Sequence, residues 1–251
     1  MTHSPLKMMR RAGRAAAATR DAACALVKPG VTTQAIDDLV RADTHSRGGR
    51  CAQHGYRVGG VPFPANVCTS VNTVVCHGVP SSDVVLEDGD IVNIDVTTEL
   101  GGWHGDTSRT VCVGTPSPEA LHLVEATRRA LTLGIAQVRP GVPLSRIGEV
   151  IEVFARSQGC TVVRAFGGHG IGRRMHQAPH VHHHATGRPW PVLQPGMFFT
   201  IEPMLCLGRS EVQVLDDGWT VVTADGSLSA QFEHTVAVTR DGVEVMTLPV
   251  F

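Results

Sequence analysis

What this chain lacks narrows it first. No apolar run approaches the ~18 residues needed to cross a bilayer, so no membrane span is expected. The seven cysteines include no Cys-x-x-Cys pair. An odd number at irregular positions fits neither a disulfide framework nor a zinc ribbon, and points to a reducing, cytoplasmic setting. Charge of either sign is not in excess: 22 Lys and Arg against 23 Asp and Glu leave a formal net charge of −1. A dedicated nucleic-acid binder would carry a strong basic surplus, and there is no direct nucleic-acid motif. Lysine is almost missing, Lys7 and Lys28 being the only two. What is present is a 251-residue chain that is 42% hydrophobic, ample for a core of substantial size.

The N-terminal stretch carries Lys7, Arg10, Arg11, Arg14 and Arg20 with no acid among its first twenty residues. That composition resembles a transit peptide, although the apolar stretch of a secretory signal is absent. An internal repeat argues against a leader, because this segment has a counterpart deeper in the chain. Val27–Val31 (VKPGV) returns as Val138–Val142 (VRPGV), and in the same register Ile36 falls on Ile147, Asp38 on Glu149, Val40 on Ile151, Ser46 on Ser157 and Gly48 on Gly159. Each copy reads as a helix stopped by Pro-Gly, then a second amphipathic helix closed by glycine. Ser117-Pro118-Glu119 supplies an N-cap, a Pro at the first turn and an early acid for the second copy. Leu121, Val124, Leu131, Ile135 and Val138 are read as that helix's apolar side.

Further on, Leu86–Asp95 lies over Leu193–Glu202, each a turn feeding a β-strand that ends on an acid. His77-Gly78-Val79 and His169-Gly170-Ile171 place one histidine in each half. The repeat is too long for a solenoid. It fits two α+β halves, roughly 5–115 and 116–251, related by a pseudo-two-fold axis and sharing one cleft within a single domain, 1–251.

Strand alternation puts Asn93, Asp95 and Thr97 on one face. Gly101-Gly102 marks a turn between Asp95 and Asp106, which suggests a hairpin. Glu202 follows the apolar Met197–Ile201, and Glu233 sits within Ala230–Val236. An unpaired carboxylate buried in such strands is costly. Divalent cations held by Asp95, Asp106, Glu202, Glu233 and a histidine answer that cost, since carboxylate and imidazole suit first-row metals. Two ions ~3.5–4 Å apart polarise a carbonyl and activate water near neutral pH. An acidic network satisfied by arginines and backbone donors is the alternative at this point.

Ser70-Val71-Asn72, Cys76-His77-Gly78, Val92–Val96, His104–Ser108, Gly168–Gly172, Phe199–Met204 and Ser229–Thr235 resemble, in order and spacing, the signature blocks of methionine aminopeptidases. Met9–Arg14 resembles that family's first helix, so the likeness spans nearly the whole chain. It implies the "pita-bread" α+β fold, with pseudo-two-fold duplicated halves and a central antiparallel sheet flanked by helices. It also implies metal ligands Asp95, Asp106, His169, Glu202 and Glu233, with Asp106 and Glu233 shared by two divalent ions (Co, Mn, Fe, Ni or Zn). Glu202 is then the general base, His176 stabilises the oxyanion, and His77 contacts the departing amide nitrogen. The interval from His176 to Glu202 has no room for the helical insert of type II enzymes, and no Cys-rich N-terminal extension is seen. A minimal type I, bacterial-type enzyme is therefore implied. Its partners would be N-termini of peptides and nascent proteins close to the ribosome, with a small second residue preferred, and a monomer is expected.

Pocket candidates by position are Phe63, Cys68, Met175 and Trp219. The chain departs from the family pattern at Met175, at Gly60 in an unusual Gly59–Pro62 approach, and at Gln177, where an acid is common. His180, His182, His183 and His184 are read as a solvated loop able to take up stray metal. A same-fold Xaa-Pro aminopeptidase or prolidase-like hydrolase would share the five ligands. An inactive binding paralogue would have lost them.

Overall fold

The structure is a computed structural model that describes residues 4–188 and 191–248. The order of elements repeats. The first series is α1 (Pro5–Leu26), α2 (Thr33–Ser46), β1 (Arg50–Cys51), β2 (Arg57–Val58), β3 (Val61–Pro62), β4 (Cys68–Val71), β5 (Val74–Cys76), β6 (Ile91–Leu100) and β7 (Trp103–Cys112). The second opens with α3 (Pro118–Ile135) and α4 (Ser145–Ser157), followed by β8 (Thr161–Val162), β9 (Gly168–Gly170), β10 (Gln177–Val181), β11 (Phe198–Ile201) and β12 (Met204–Cys206). It closes with β13 (Val212–Val214), β14 (Val221–Thr223), β15 (Ser229–Gln231), β16 (His234–Val238) and β17 (Val243–Val245). Among the described residues no helix is long and apolar enough to cross a membrane.

Local chemistry sets the helix ends. Ser4 and Ser117 cap α1 and α3, each followed by a proline in the first turn, and Ser117 Oγ accepts the Ala120 N–H at 3.1 Å. On α3 the buried stripe differs from the expected one. Leu121 is 56% exposed, while Leu123, Ala126, Thr127, Ala130, Leu131 and Gly134 face inward. Gly134 has no side chain because α4 packs close there: a Cβ would come within 2.8 Å of Ile151.

β6 is the centre of the first sheet, with β4 and β1 along one edge and β7 along the other. β6 and β7 join through Gly101-Gly102, both left-handed at φ 62° and 78°, as a two-residue hairpin turn requires. The second sheet runs β10-β9-β11-β16-β17. The two meet where β7 lies beside β15 and β16. Glu233 N–H donates to Ser108 O at 3.1 Å, Thr110 Oγ1 donates to Gln231 O at 2.7 Å, and Thr235 Oγ1 donates to Asp106 O at 2.8 Å. This is the pita-bread arrangement of duplicated halves, antiparallel at its centre.

Each half has its own core under its helix pair. Ile36, Val40, Val92, Ile94 and Val96 form one; Leu123, Ile147, Ile151, Phe199 and Ile201 belong to the other. Because strand side chains alternate, sending Ile94 and Val96 to the helices turns Asp95 and Thr97 to the opposite face, where the halves enclose a cleft.

Candidate metal centre and cleft

The hairpin register places Asp95 opposite Ser108 and Thr97 opposite Asp106. The two aspartates are therefore diagonal neighbours on one face, within reach of each other. Thr97 Oγ1 donates to Asp106 Oδ1 at 2.7 Å. From the other half, Glu202 follows directly on β11 and Glu233 precedes β16. Glu202 is held by Thr200 Oγ1 at 2.6 Å on Oε1 and by Gln231 Nε2 at 3.2 Å on Oε2. His169 of β9 completes the cluster. Its Nδ1 lies 3.1 Å from Gly170 O, which keeps the proton on that nitrogen and turns Nε2 toward the acids, 3.6 Å from Asp106 Oδ2 and 3.7 Å from Glu202 Oε1.

The electrostatics are those of uncompensated acids. Burial pushes Glu202 up to about 8 and Asp106 to about 6, and Asp95 and Glu233 well above the carboxylate range, with neighbouring carboxylates adding to the shift of Glu202, Asp95 and Glu233. Burial lowers His77 and His169 to about 4; His176, exposed at the cleft, is lowered to about 3 by partial desolvation, with the neighbouring imidazoles of His169, His77 and His104 adding to it. All three are neutral near pH 7.

Whether a cation fits is decided by the donors present. Among the described residues none of the four acids pairs with an arginine. The buried Arg20 donates instead to Thr107 Oγ1 at 2.6 Å and pairs with Asp21. The acids meet neutral hydroxyls, an amide, a backbone N–H, the His169 imidazole and one another, and Asp95 Oδ1 is buried with no hydrogen-bond partner. Single ligand atoms of Asp106, His169 and Glu233 all lie within 4.8 Å of one another. Four carboxylates and an imidazole form a hard-to-borderline donor set suited to divalent first-row ions. The residues fit such a group, and the arginine-satisfied network is not what the fold builds.

The eleven residues expected at the site, His77, Asp95, Asp106, His169, His176, Glu202 and Glu233 with Phe63, Cys68, Met175 and Trp219, line one cavity of about 370 Å³. His77 follows β5 with φ 56°, an unusual backbone for histidine. Its ring stands 5.5 Å from Phe166 and 6.1 Å from Trp219. Phe63 meets Trp219 edge-on at 5.2 Å, and the His176 ring lies 4.0 Å from that of His169. Several lining residues carried no pattern in the sequence. Tyr56 packs 4.9 Å from His176, Phe166 packs on His77, and Gln53 Nε2 donates to Asp95 O at 2.8 Å.

The unusual approach at Gly60 has a local explanation, and one expectation changes. Gly59 and Gly60, at φ 57° and 88°, form the turn of the β2–β3 hairpin, and Val58 from that hairpin lines the cavity. His180–His184 is not simply a solvated loop. His180 belongs to β10 and lines the cavity rim, and His183 is buried, accepting the Glu202 N–H on Nε2 at 3.0 Å.

The model of metallopeptidase family M24 matches residues 7–240. Methionine aminopeptidase A of Synechocystis sp. is 48% identical over 248 residues, covering 99% of this chain and 96% of the relative. The methionine aminopeptidase of Escherichia coli is 44% identical, with 98% and 92% covered. Among solved structures, methionine aminopeptidase from Rickettsia prowazekii superposes with a TM-score of 0.93 at 44% identity, with 99% of each chain covered. Prolidase from Pyrococcus furiosus gives 0.78 at 19% identity, covering 100% of this chain and 65% of that one, a likeness of fold alone.

Proposed function

The chain belongs to metallopeptidase family M24, and from that premise we propose that residues 1–251 act as one catalytic domain removing N-terminal methionine from peptides and nascent proteins. The observation that carries the detailed reading is the single cavity onto which the acids, the three histidines and an apolar recess all open. Two divalent ions held by Asp95, Asp106, His169, Glu202 and Glu233 would offset the buried charge and supply Lewis acidity toward water and the scissile carbonyl. Mn, Fe, Co, Ni and Zn all suit the donor set.

The chain's own groups do the rest. Glu202, oriented by Thr200 and Gln231, takes a proton from the attacking water and can return it to the departing amine. His176, neutral, donates a hydrogen bond to the carbonyl oxygen as charge develops there. His77, whose ring is steadied by Phe166 and Trp219, contacts the amide nitrogen. Phe63, Cys68, Met175 and Trp219 enclose a methionine side chain, which apolar contact and a flexible thioether suit. Small residues at the second position, action as a monomer in the cytoplasm, and nascent chains near the ribosome belong to the same reading.

The test is hydrolysis of Met-Ala-Ser, Leu-Ala-Ser and Ala-Pro-Ala by chelator-stripped protein reconstituted with Mn or Co, beside Glu202→Ala. Selective methionine release, reduced by about 10²–10⁴ in the variant, is the expected result. Turnover of Ala-Pro-Ala alone overturns the substrate. No turnover with metal demonstrably bound overturns the enzyme role.

A further inference from the structure

β10 sets His180 directly across from His169 of β9. Side-chain alternation continues past the end of the strand, so that His180 and His182 are exposed and His184 half-exposed, while Val181 and His183 turn inward. The His180 and His182 rings stand 4.4 Å apart between centres, and those of His182 and His184 5.2 Å. Two imidazoles bound side by side on one cation, at about 2.0–2.1 Å from metal to nitrogen, hold their ring centres roughly 4.5–5 Å apart. Each neighbouring pair of these surface rings sits near that spacing.

Two further observations prepare them as ligands. His184 Nδ1 lies 3.2 Å from Ala185 O, which keeps the proton there and leaves the Nε2 lone pair free. The backbone beneath is clamped to α4: a Cβ on Gly148 would fall 2.6 Å from His182 O and 2.5 Å from His184 O, and Ala185 N–H donates to Glu152 Oε2 at 3.1 Å. The rings thus sit on a fixed main chain; their three nitrogens are not gathered on one point in the structure, and rotation about the side-chain bonds alone would bring them together. An imidazole set suits borderline first-row ions such as Zn²⁺, Ni²⁺ and Cu²⁺ over the oxygen-preferring Mg²⁺ and Ca²⁺.

We propose that His180, His182 and His184 form an additional, imidazole-only site for one borderline divalent cation at the rim of the cleft, separate from the carboxylate centre. The site depends on the spacing and phase of three side chains, and it stands whichever peptide the enzyme prefers.

The test is calorimetric titration of chelator-stripped protein with Ni²⁺ and with Zn²⁺, comparing wild type, His182→Gln/His184→Gln and Glu202→Ala. The wild type is expected to take up one equivalent more than the double variant, while Glu202→Ala keeps that equivalent. In Cu²⁺ electron paramagnetic resonance the component coupled to several nitrogens is expected to be lost in the double variant, leaving at most the single-imidazole pattern of the carboxylate centre. If that variant shows altered near-UV circular dichroism, the single His182→Gln, which removes both ring contacts, takes its place and should weaken the extra equivalent by about tenfold or more. Equal stoichiometry and affinity in wild type and histidine variants overturns the site. So does loss of the extra equivalent in Glu202→Ala alone, which would place it in the carboxylate centre.

Discussion

The main-chain N–H of Glu202 ends on Nε2 of His183, 3.0 Å away and out of reach of solvent. Burial lowers the His183 pKa to about 3, so the ring is neutral and carries its proton on Nδ1 when Nε2 accepts. With Thr200 on one carboxylate oxygen and Gln231 on the other, Glu202 is fixed from three directions. A residue outside the expected site therefore sets the main chain of one at its centre.

His183→Ala strands a buried N–H, and the expected loss of stability is about 1–3 kcal/mol with a further contribution from the cavity left behind. Urea denaturation of chelator-stripped protein measures it. A midpoint equal to that of wild type would show that the contact is replaceable.

The pH dependence of metal-free stability has two limbs of opposite sign. His77 and His169, near 4, and His176, His183 and His234, near 3, bind protons less readily folded than unfolded. They make stability rise with pH until the unfolded value of about 6.5 is passed. Asp106 near 6, Glu202 near 8, and the still more strongly raised Asp95 and Glu233 act oppositely. Above their unfolded values near 4 the folded state holds more protons, so they make stability fall as pH rises toward their folded values. From pH 6.5 to 8 the histidine gain is spent while Glu202, Asp95 and Glu233 still subtract. Melting temperature with chelator present is expected to decline over that window. Saturating Mn²⁺ or Co²⁺ should flatten the decline, because a cation binds the ionised acids. An identical decline with and without metal would contradict the ligand set.

Gly105→Ala should cost about 1–3 kcal/mol or more. A Cβ there falls 2.5 Å from Gly13 N and 2.6 Å from Ala12 O, where α1 rests on β7 and the obstacle is backbone. Gly172→Ala is the control, since its nearest neighbours are side-chain atoms at 3.6 Å and beyond. Denaturation midpoints of the two variants should separate clearly; equal shifts would mean that α1 moves aside freely.

The parts of the site that could be read in advance are those whose chemistry conflicts with their surroundings along the chain. Asp95 and Glu202 stand at matching places on repeated apolar strands, and a carboxylate there is expensive enough to demand an explanation. Period-two alternation correctly grouped Asn93, Asp95 and Thr97. The errors arose where packing decides. Leu121 was expected inward on helical spacing, but the buried face of α3 runs through Leu123, Ala126, Thr127, Ala130, Leu131 and Gly134, a phase that leaves Leu121 exposed. Tyr56 and Phe166 reach the cleft from loops, whose course no periodicity describes.

The repeated helix pairs, the phase of each strand and the number of acids facing one side follow from the order of residues, because alternation and helix-stop chemistry act over a few neighbours. Which acid approaches which does not. Asp106 and Glu233 come together only because β7 and β16 meet across the two halves, residues distant in the chain joined by Thr235 and Ser108. The same holds within the His180–His184 tract, which is uniform in composition. One strand register turns His183 under Glu202 and leaves His180, His182 and His184 at the rim. A one-residue slip would exchange the two sets, and it is the tertiary pairing of β10 with β9 that fixes which is which.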